Sequence, residues 1–169
     1  MTGTGDASLD VRCTSVADTA RLGAALAGLL EPGDVVLLSG ELGAGKTTLV
    51  KALVAALGSD EEVTSPTFTL LRTYATSPPV AHVDCWRLEQ LHEVLDLGLE
   101  EVLDDGGVAL IEWGEAAAPR FGRDALLVTL AAPSAAGEEP GTERLVELAG
   151  GPRWSARLEA LAVRMGSAA

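Results

Sequence analysis

Positive charge is scarce in this sequence. Twelve lysines and arginines face 25 aspartates and glutamates over 169 residues, a formal net charge of -13. Only two of the basic residues are lysines, Lys46 and Lys51. Gripping nucleic acid through an overall field needs clustered Lys and Arg, so that mode of binding is excluded. A local basic patch, or recruitment to RNA by another subunit, is not. Cysteine is scarce too: Cys13 and Cys85 lie far apart, form no CxxC pair and read as free thiols of a reducing compartment. No apolar run is long. The longest, residues 125–132, is broken by Thr129 and falls far short of the roughly 20 residues that cross a membrane. The opening Met1-Thr2-Gly3-Thr4-Gly5-Asp6 has neither a basic nor an apolar signal region, so no signal peptide is expected. These absences predict a soluble, cytoplasmic protein with no membrane partner.

What is present suits a globular chain: 47% hydrophobic and 22% charged residues argue against disorder. The length predicts one domain over 1–169, with a core at about 15–149 and a C-terminal helix at about 154–165. Residues 10–14 read as a short edge strand. Ser15-x-x-Asp18 resembles a capping box with Asp for the usual Glu. A helix with Val16, Ala20, Leu22, Leu26, Leu29 and Leu30 at helical spacings should follow, ending at Glu31-Pro32-Gly33. Val35-Val36-Leu37-Leu38 has the continuous apolar character of a parallel strand buried on both faces. Residues 46–57 carry a helical pattern stopped by Gly58.

Further strands are expected at 68–74, 80–84 and 108–111, with one or two short helices around Gly98 within 88–103. Residues 125–130 and 144–148 read as a closing hairpin around a Gly-, Ala-, Glu- and Pro-rich loop at 133–142. Strands alternating with helices predict an α/β protein. Its form should be a three-layer α/β/α sandwich of the P-loop NTPase kind, with central parallel strands and antiparallel edge strands.

Gly40-Glu41-Leu42-Gly43-Ala44-Gly45-Lys46-Thr47 fits G-x-x-x-x-G-K-[ST] without a mismatch, and Thr48 follows. A buried strand precedes it and a helix opens at it, which is the context the motif requires. Glycines let the backbone wrap phosphate oxygens, so that successive N–H groups form an anion nest at a positive helix end. Lys46 can reach the β- and γ-phosphates, and the Thr47 hydroxyl is placed to ligate Mg²⁺. One of two lysines thus occupies the position where this chemistry calls for lysine. The competing reading is a Gly-rich strand-to-helix turn that binds nothing; the flanks argue against it. No N-K-x-D run for guanine is visible, which favours ATP.

Phosphoryl chemistry also needs an acid just past a parallel strand. Asp84 ends Val80-Ala81-His82-Val83-Asp84, and Glu112 ends Val108-Ala109-Leu110-Ile111-Glu112. Glu112 is assigned to the Mg²⁺ site, directly or through water. Asp84 is assigned to the attacking water or the metal's water shell. On sequence the two roles are exchangeable. Thr64-Ser65-Pro66-Thr67-Phe68-Thr69 could sense the γ-phosphate, although its composition alone favours a Pro-fixed turn entering a strand. His82, Cys85 and His92 lack a second complete ligand pair for zinc, so a satisfied His and a buried thiol are expected. Trp86 and Trp113 read as packing residues, and Arg153, Arg157 and Arg164 as a solvated helix face.

Four motifs now stand in order: the phosphate loop through Thr48, Ser65-Pro66-Thr67-Phe68-Thr69-Leu70, His82-Val83-Asp84-Cys85-Trp86-Arg87-Leu88, and Ile111-Glu112-Trp113-Gly114-Glu115. Together they closely resemble the TsaE family, bacterial ATPases of tRNA threonylcarbamoyladenosine biosynthesis, over residues 15–148. The resemblance implies an ATP- and Mg²⁺-dependent hydrolase, slow without partners. It would work with transferase subunits of the TsaD and TsaB type that modify adenosine 37 of tRNA. Hydrolysis would reset the transferase complex, and tRNA would be contacted mainly through those partners. Residue by residue it implies Thr47 and Glu112 at Mg²⁺, and Asp84, Lys46 and Thr67 in catalysis. Gly43, Ala44, Gly45, Lys46, Thr47, Thr48, Asp84 and Arg144 would hold the nucleotide. Cys85-Trp86 stands where the family more often has Leu-Tyr, and the 133–142 loop and the residues beyond Gly151 have no clear family counterpart.

Two other readings compete. A small-molecule P-loop kinase would need an arginine-rich lid, yet Arg120 and Arg123 are the only close pair after the Glu112 strand. A nucleotide-gated interaction module would bind ATP without relying on hydrolysis.

Overall fold

The computed structural model describes residues 6–65, 70–86, 91–133 and 141–166, apart from the side chains of Leu91 and Ala116. The first strand, β1 (Ala7–Cys13), leads into α1 (Val16–Ala27), β2 (Val35–Ser39) and α2 (Lys46–Ala56). Then come β3 (Leu71–Tyr74), β4 (Val80–Asp84), α3 (Leu91–Leu95), α4 (Leu99–Asp104) and β5 (Val108–Glu112). The short α5 (Ala118–Phe121), β6 (Leu126–Ala131), β7 (Arg144–Gly150) and α6 (Ser155–Met165) complete the order.

The strands form one sheet in the order β1-β7-β6-β2-β5-β4-β3. Its centre is parallel, since β2 pairs with β5 and β6, and β4 with β5. Its margins are antiparallel: β3 on β4 at one side, and β7 between β6 and β1 at the other. Two apolar layers flank the sheet. Val36, Leu38, Leu110 and Leu126 pack with α1, α2 and α6, through residues such as Leu22, Leu49 and Leu158. Val35, Leu37, Ala109 and Ile111 turn the other way, toward Val94, Leu99 and Phe121 of α3, α4 and α5. The alternation is the period-2 geometry of a strand covered on both faces. Burying a leucine such as Leu22, with no exposed surface, stabilises by about 1.5–3 kcal/mol. This is the α/β/α sandwich that strand–helix alternation predicted.

Several local expectations shift. α1 ends at Ala27 rather than running to Glu31, because the Leu29 and Leu30 amides turn back to the Leu26 and Ala27 carbonyls. The Ser15 hydroxyl does cap α1, accepting from the Asp18 amide at 3.1 Å. Asp18, however, accepts from the Thr14 amide and hydroxyl, at 2.9 and 2.7 Å, so the box closes one residue upstream of Ser15. Two short helices do flank Gly98, whose φ of 79° breaks them apart. The strand expected at 68–74 is described from Leu71, and residues 66–69, 87–90 and 134–140 of the loop and helix expectations lie outside the described residues. Among the described residues, no helix is long and apolar enough to cross a membrane.

The arginine expectation needs the larger correction. Asp34, with no side-chain exposure, accepts from Arg153 at 2.9 Å and from Arg157 at 2.5 Å. Arg157 also lies 3.6 Å over the Trp154 ring, and its side chain is only 12% exposed. A charge buried on β2's approach needs paired donors. Arg157 therefore faces inward, while Arg153, 42% exposed, reaches Asp34 from the surface, and together they pin the C-terminal segment to the sheet. Arg164 donates to the Ala25 carbonyl at 3.1 Å and remains exposed, as a solvated face would have it.

Candidate nucleotide-binding site

The site is assembled at the carboxyl ends of the parallel strands. β2 delivers the chain into Gly40–Gly45, and α2 opens at Lys46. Gly45 caps that helix with φ of 104°, and Gly40 has φ of 144° with the Leu130 carbonyl only 2.4 Å from where a Cβ would sit. At Gly40 a Cβ would strike backbone, and at Gly45 the positive φ itself favours glycine.

Register then explains which acids arrive. On adjacent parallel strands Asp84 pairs with Glu112, and Glu112 with Leu38. Alternation puts His82 and Asp84 on one face of β4, and Leu110 and Glu112 on the matching face of β5. That face is the one α2 covers. Both acids therefore meet the start of α2: the Thr47 hydroxyl donates to Glu112 Oε1 at 2.7 Å. Asp84 accepts from the Ser65 hydroxyl at 2.6 Å and from the Trp86 amide at 2.9 Å. A pocket of about 380 Å³ opens here, lined by phosphate-loop residues together with Ser65, Asp84, Trp86, Glu112 and Trp113. A second hollow of about 620 Å³ lies on the loop's other flank, against the end of β6.

Lys46 is only 6% exposed and rests within its own loop. Its ammonium donates to the Gly40 and Glu41 carbonyls at 2.6 and 2.9 Å and sits 4.0 Å over the Trp113 ring. Burial lowers its pKa below 10.5 despite the opposing pull of Glu112, Asp84 and Glu115. Burial pushes the Glu112 carboxyl upward, but His82, the Thr47 hydroxyl and Lys46 outweigh it, leaving Glu112 below the ordinary carboxylate range. Burial drives the Cys85 thiol up to about 12, an inert group as expected.

Of the residues singled out by sequence, Gly43, Ala44, Gly45, Lys46, Thr47, Thr48, Asp84 and Glu112 converge on one place. Arg144, from the far strand β7, reaches it too: its guanidinium donates to the Ala44 carbonyl at 2.9 Å and the Gly43 carbonyl at 3.1 Å. Thr67 lies outside the described residues. The reading of Trp86 as a packing residue is overturned, because it is 57% exposed at the pocket rim, 4.5 Å from the Trp113 ring centre. Trp113 is missed differently: it takes a left-handed backbone, φ 55°, which no sequence signal announced. The expected satisfied histidine is also corrected. His82 is fully buried, but neither ring nitrogen has a hydrogen-bond partner among the described residues.

This chain is similar to known proteins along most of its length. The family profile described as "Threonylcarbamoyl adenosine biosynthesis protein TsaE" matches residues 13–139. The tRNA threonylcarbamoyladenosine biosynthesis protein TsaE of Treponema pallidum is 44% identical over 122 residues, covering 71% of this chain and 90% of its own. The protein of that name from Streptomyces coelicolor is 44% identical over 139 residues, covering 79% and 92%. The crystal structure of Bacillus subtilis YdiB superposes with a TM-score of 0.70 at 26% identity, covering 96% of each chain. Order of motifs, sheet topology and these likenesses agree: the chain belongs to the TsaE family, whose members take part in the biosynthesis of threonylcarbamoyladenosine in tRNA.

Proposed function

We propose that this protein is a Mg²⁺-dependent ATPase, one P-loop domain over 1–169. It supports threonylcarbamoyl transfer to adenosine 37 of tRNA and hydrolyses ATP to reset a cytoplasmic transferase complex. The observation that carries the reading is the 2.7 Å contact between Thr47 and Glu112 at the open end of a phosphate loop. The donor set fits a hard divalent cation: a hydroxyl and a carboxylate are oxygen ligands, with a second carboxylate, Asp84, in the same pocket. Thr47 and Glu112 would hold Mg²⁺, which neutralises charge on the β- and γ-phosphates when bound.

The chain's own groups do the rest. Amides of Gly43, Ala44, Gly45, Lys46, Thr47 and Thr48 border the phosphate path at the positive end of α2. Lys46 exchanges the Gly40 and Glu41 carbonyls for phosphate oxygens. Asp84, its orientation fixed by Ser65 and Trp86, accepts a hydrogen bond from the attacking water or the metal's water shell. Thr67 belongs to the loop that would follow the γ-phosphate. Arg144 steadies the loop from behind, near the nucleotide. The partners are transferase subunits of the TsaD and TsaB type, which would hold the tRNA. An exposed rim, Leu42 at 85% and Trp86 at 57%, supports dependence on such partners, since it leaves apolar surface around the pocket for them to cover.

Phosphate release by the purified protein tests the reading, alone and with an active transferase complex. Turnover should be slow alone, rise with the complex, and vanish with EDTA or in Lys46→Ala. Turnover that ignores a cognate, active complex would overturn the partner-dependent reading.

A further inference from the structure

His82 is the buried polar group that the nucleotide site leaves unexplained. It sits mid-strand on β4, with no exposed surface, and its ring stacks on Tyr74 with centroids 6.5 Å apart and planes 30° apart. Nε2 faces Glu112 Oε2 at 3.8 Å, just beyond hydrogen-bond range. Burying an imidazole with both nitrogens unpaired is unfavourable, and an apolar residue would fill a central parallel strand at no such cost. Strand register puts this polar group here: His82 pairs with Leu110, one alternation back from the Asp84–Glu112 level and on the same face.

Glu112 is the other half of the argument. One carboxylate oxygen accepts from Thr47 at 2.7 Å; the other has His82 waiting behind it. Resting on the reading of Thr47 and Glu112 as the metal residues, a hydroxyl that offers a lone pair to a cation keeps its proton on Glu112 Oε1, so Oε2 is the carboxylate oxygen left to be positioned. A small rotation of the carboxylate that moves Oε2 by about 1 Å would bring it to the usual ~2.9 Å from Nε2. Carboxylates that serve cations are commonly held by such an outer donor. We propose that His82 is a positioning residue: its Nε2–H holds Glu112 Oε2 while Thr47 holds Oε1, and so sets how strongly Mg²⁺ tightens nucleotide binding.

The test compares ADP binding by calorimetry in Mg²⁺ and in EDTA, with thermal unfolding of the unliganded proteins as the fold check. His82→Phe keeps the ring against Tyr74 but removes the donor. His82→Gln places an amide near Nε2, and His82→Asn places one near Nδ1 instead. The Phe and Asn variants should bind ADP in EDTA within about twofold of wild type, yet lose about 10-fold in apparent Mg²⁺ affinity. Gln should recover to within about threefold. The proposal fails if Phe or Asn keeps wild-type Mg²⁺ affinity, or loses EDTA and Mg²⁺ binding equally. It fails too if folded Gln is no better than Asn, a comparison that survives if Phe does not fold. Wild-type ADP binding indifferent to Mg²⁺ would instead sink the metal reading itself, and this inference with it.

Discussion

The two halves of the sheet are built by different rules. Around β4 and β5 every residue is buried, including His82, Asp84 and Glu112. Around β6, burial alternates strictly: Leu126, Val128 and Leu130 face α1, α2 and α6, while Leu127, Thr129 and Ala131 face out. β1 and β7 extend the open face with Asp10, Arg12, Leu145 and Glu147. Polar side chains in the first half sit where water cannot satisfy them, so their partners decide both stability and chemistry. In the second half polar side chains meet solvent and the backbone ladder does the holding. A substitution should therefore be severe or silent according to its half and its face.

The sharpest contrast is chemical. Asp84→Ala should cut partner-stimulated ATP turnover by about 10²- to 10⁴-fold. Thr129→Ala, on the open face, should leave it intact in the same assay. Should Asp84→Ala keep nucleotide binding and partner function, hydrolysis is not the working step and the nucleotide-gated module gains. Next is packing: Leu110→Ala, fully buried on β5, should destabilise by about 2–5 kcal/mol in urea unfolding. Removing Arg157 comes third. Arg157→Ala leaves buried Asp34 with Arg153 as its one cation, beside the Glu31 amide, and should cost about 3 kcal/mol, seen as a lowered urea midpoint. Leu127→Lys, 40% exposed on β6, should move the same midpoint by no more than about 0.5 kcal/mol. The weakest contrast lies between the thiols. Burial raises both Cys13 and Cys85, so neither forms thiolate readily at pH 8. Mass spectrometry after brief iodoacetamide treatment should find both unmodified in the native protein and both modified in urea. Rapid native labelling of Cys85 would contradict the closed packing of the site half.

The parts legible in the sequence were those with local grammar. The strand, the glycines, Lys46 and Thr47 are contiguous, and the acids end apolar runs, so spacing alone placed Asp84 and Glu112 at one sheet edge. What stayed hidden depended on distant chain. The arginines at 153 and 157 have helical spacing, but Asp34, 123 residues from Arg157, decides that both pair with it and that Arg157 faces inward. His82 resembles any strand histidine until register puts it behind Glu112. Trp86 and Trp113 have the same side chain, and only the backbone turn after β5 separates an exposed rim from a cover over Lys46.

Arg144 bears on how quickly the site can be used. A peptide group is planar, with its C=O and N–H on opposite sides. By fixing the Ala44 carbonyl from outside the loop, Arg144 also fixes the direction of the Gly45 amide. The guanidinium stands where solvent would otherwise hydrate that carbonyl, so the dipole is aimed before any anion arrives. A phosphate entering such a loop meets amides that need not turn. On the proposed reading, the group that would still have to move is Lys46, which rests on the Gly40 and Glu41 carbonyls.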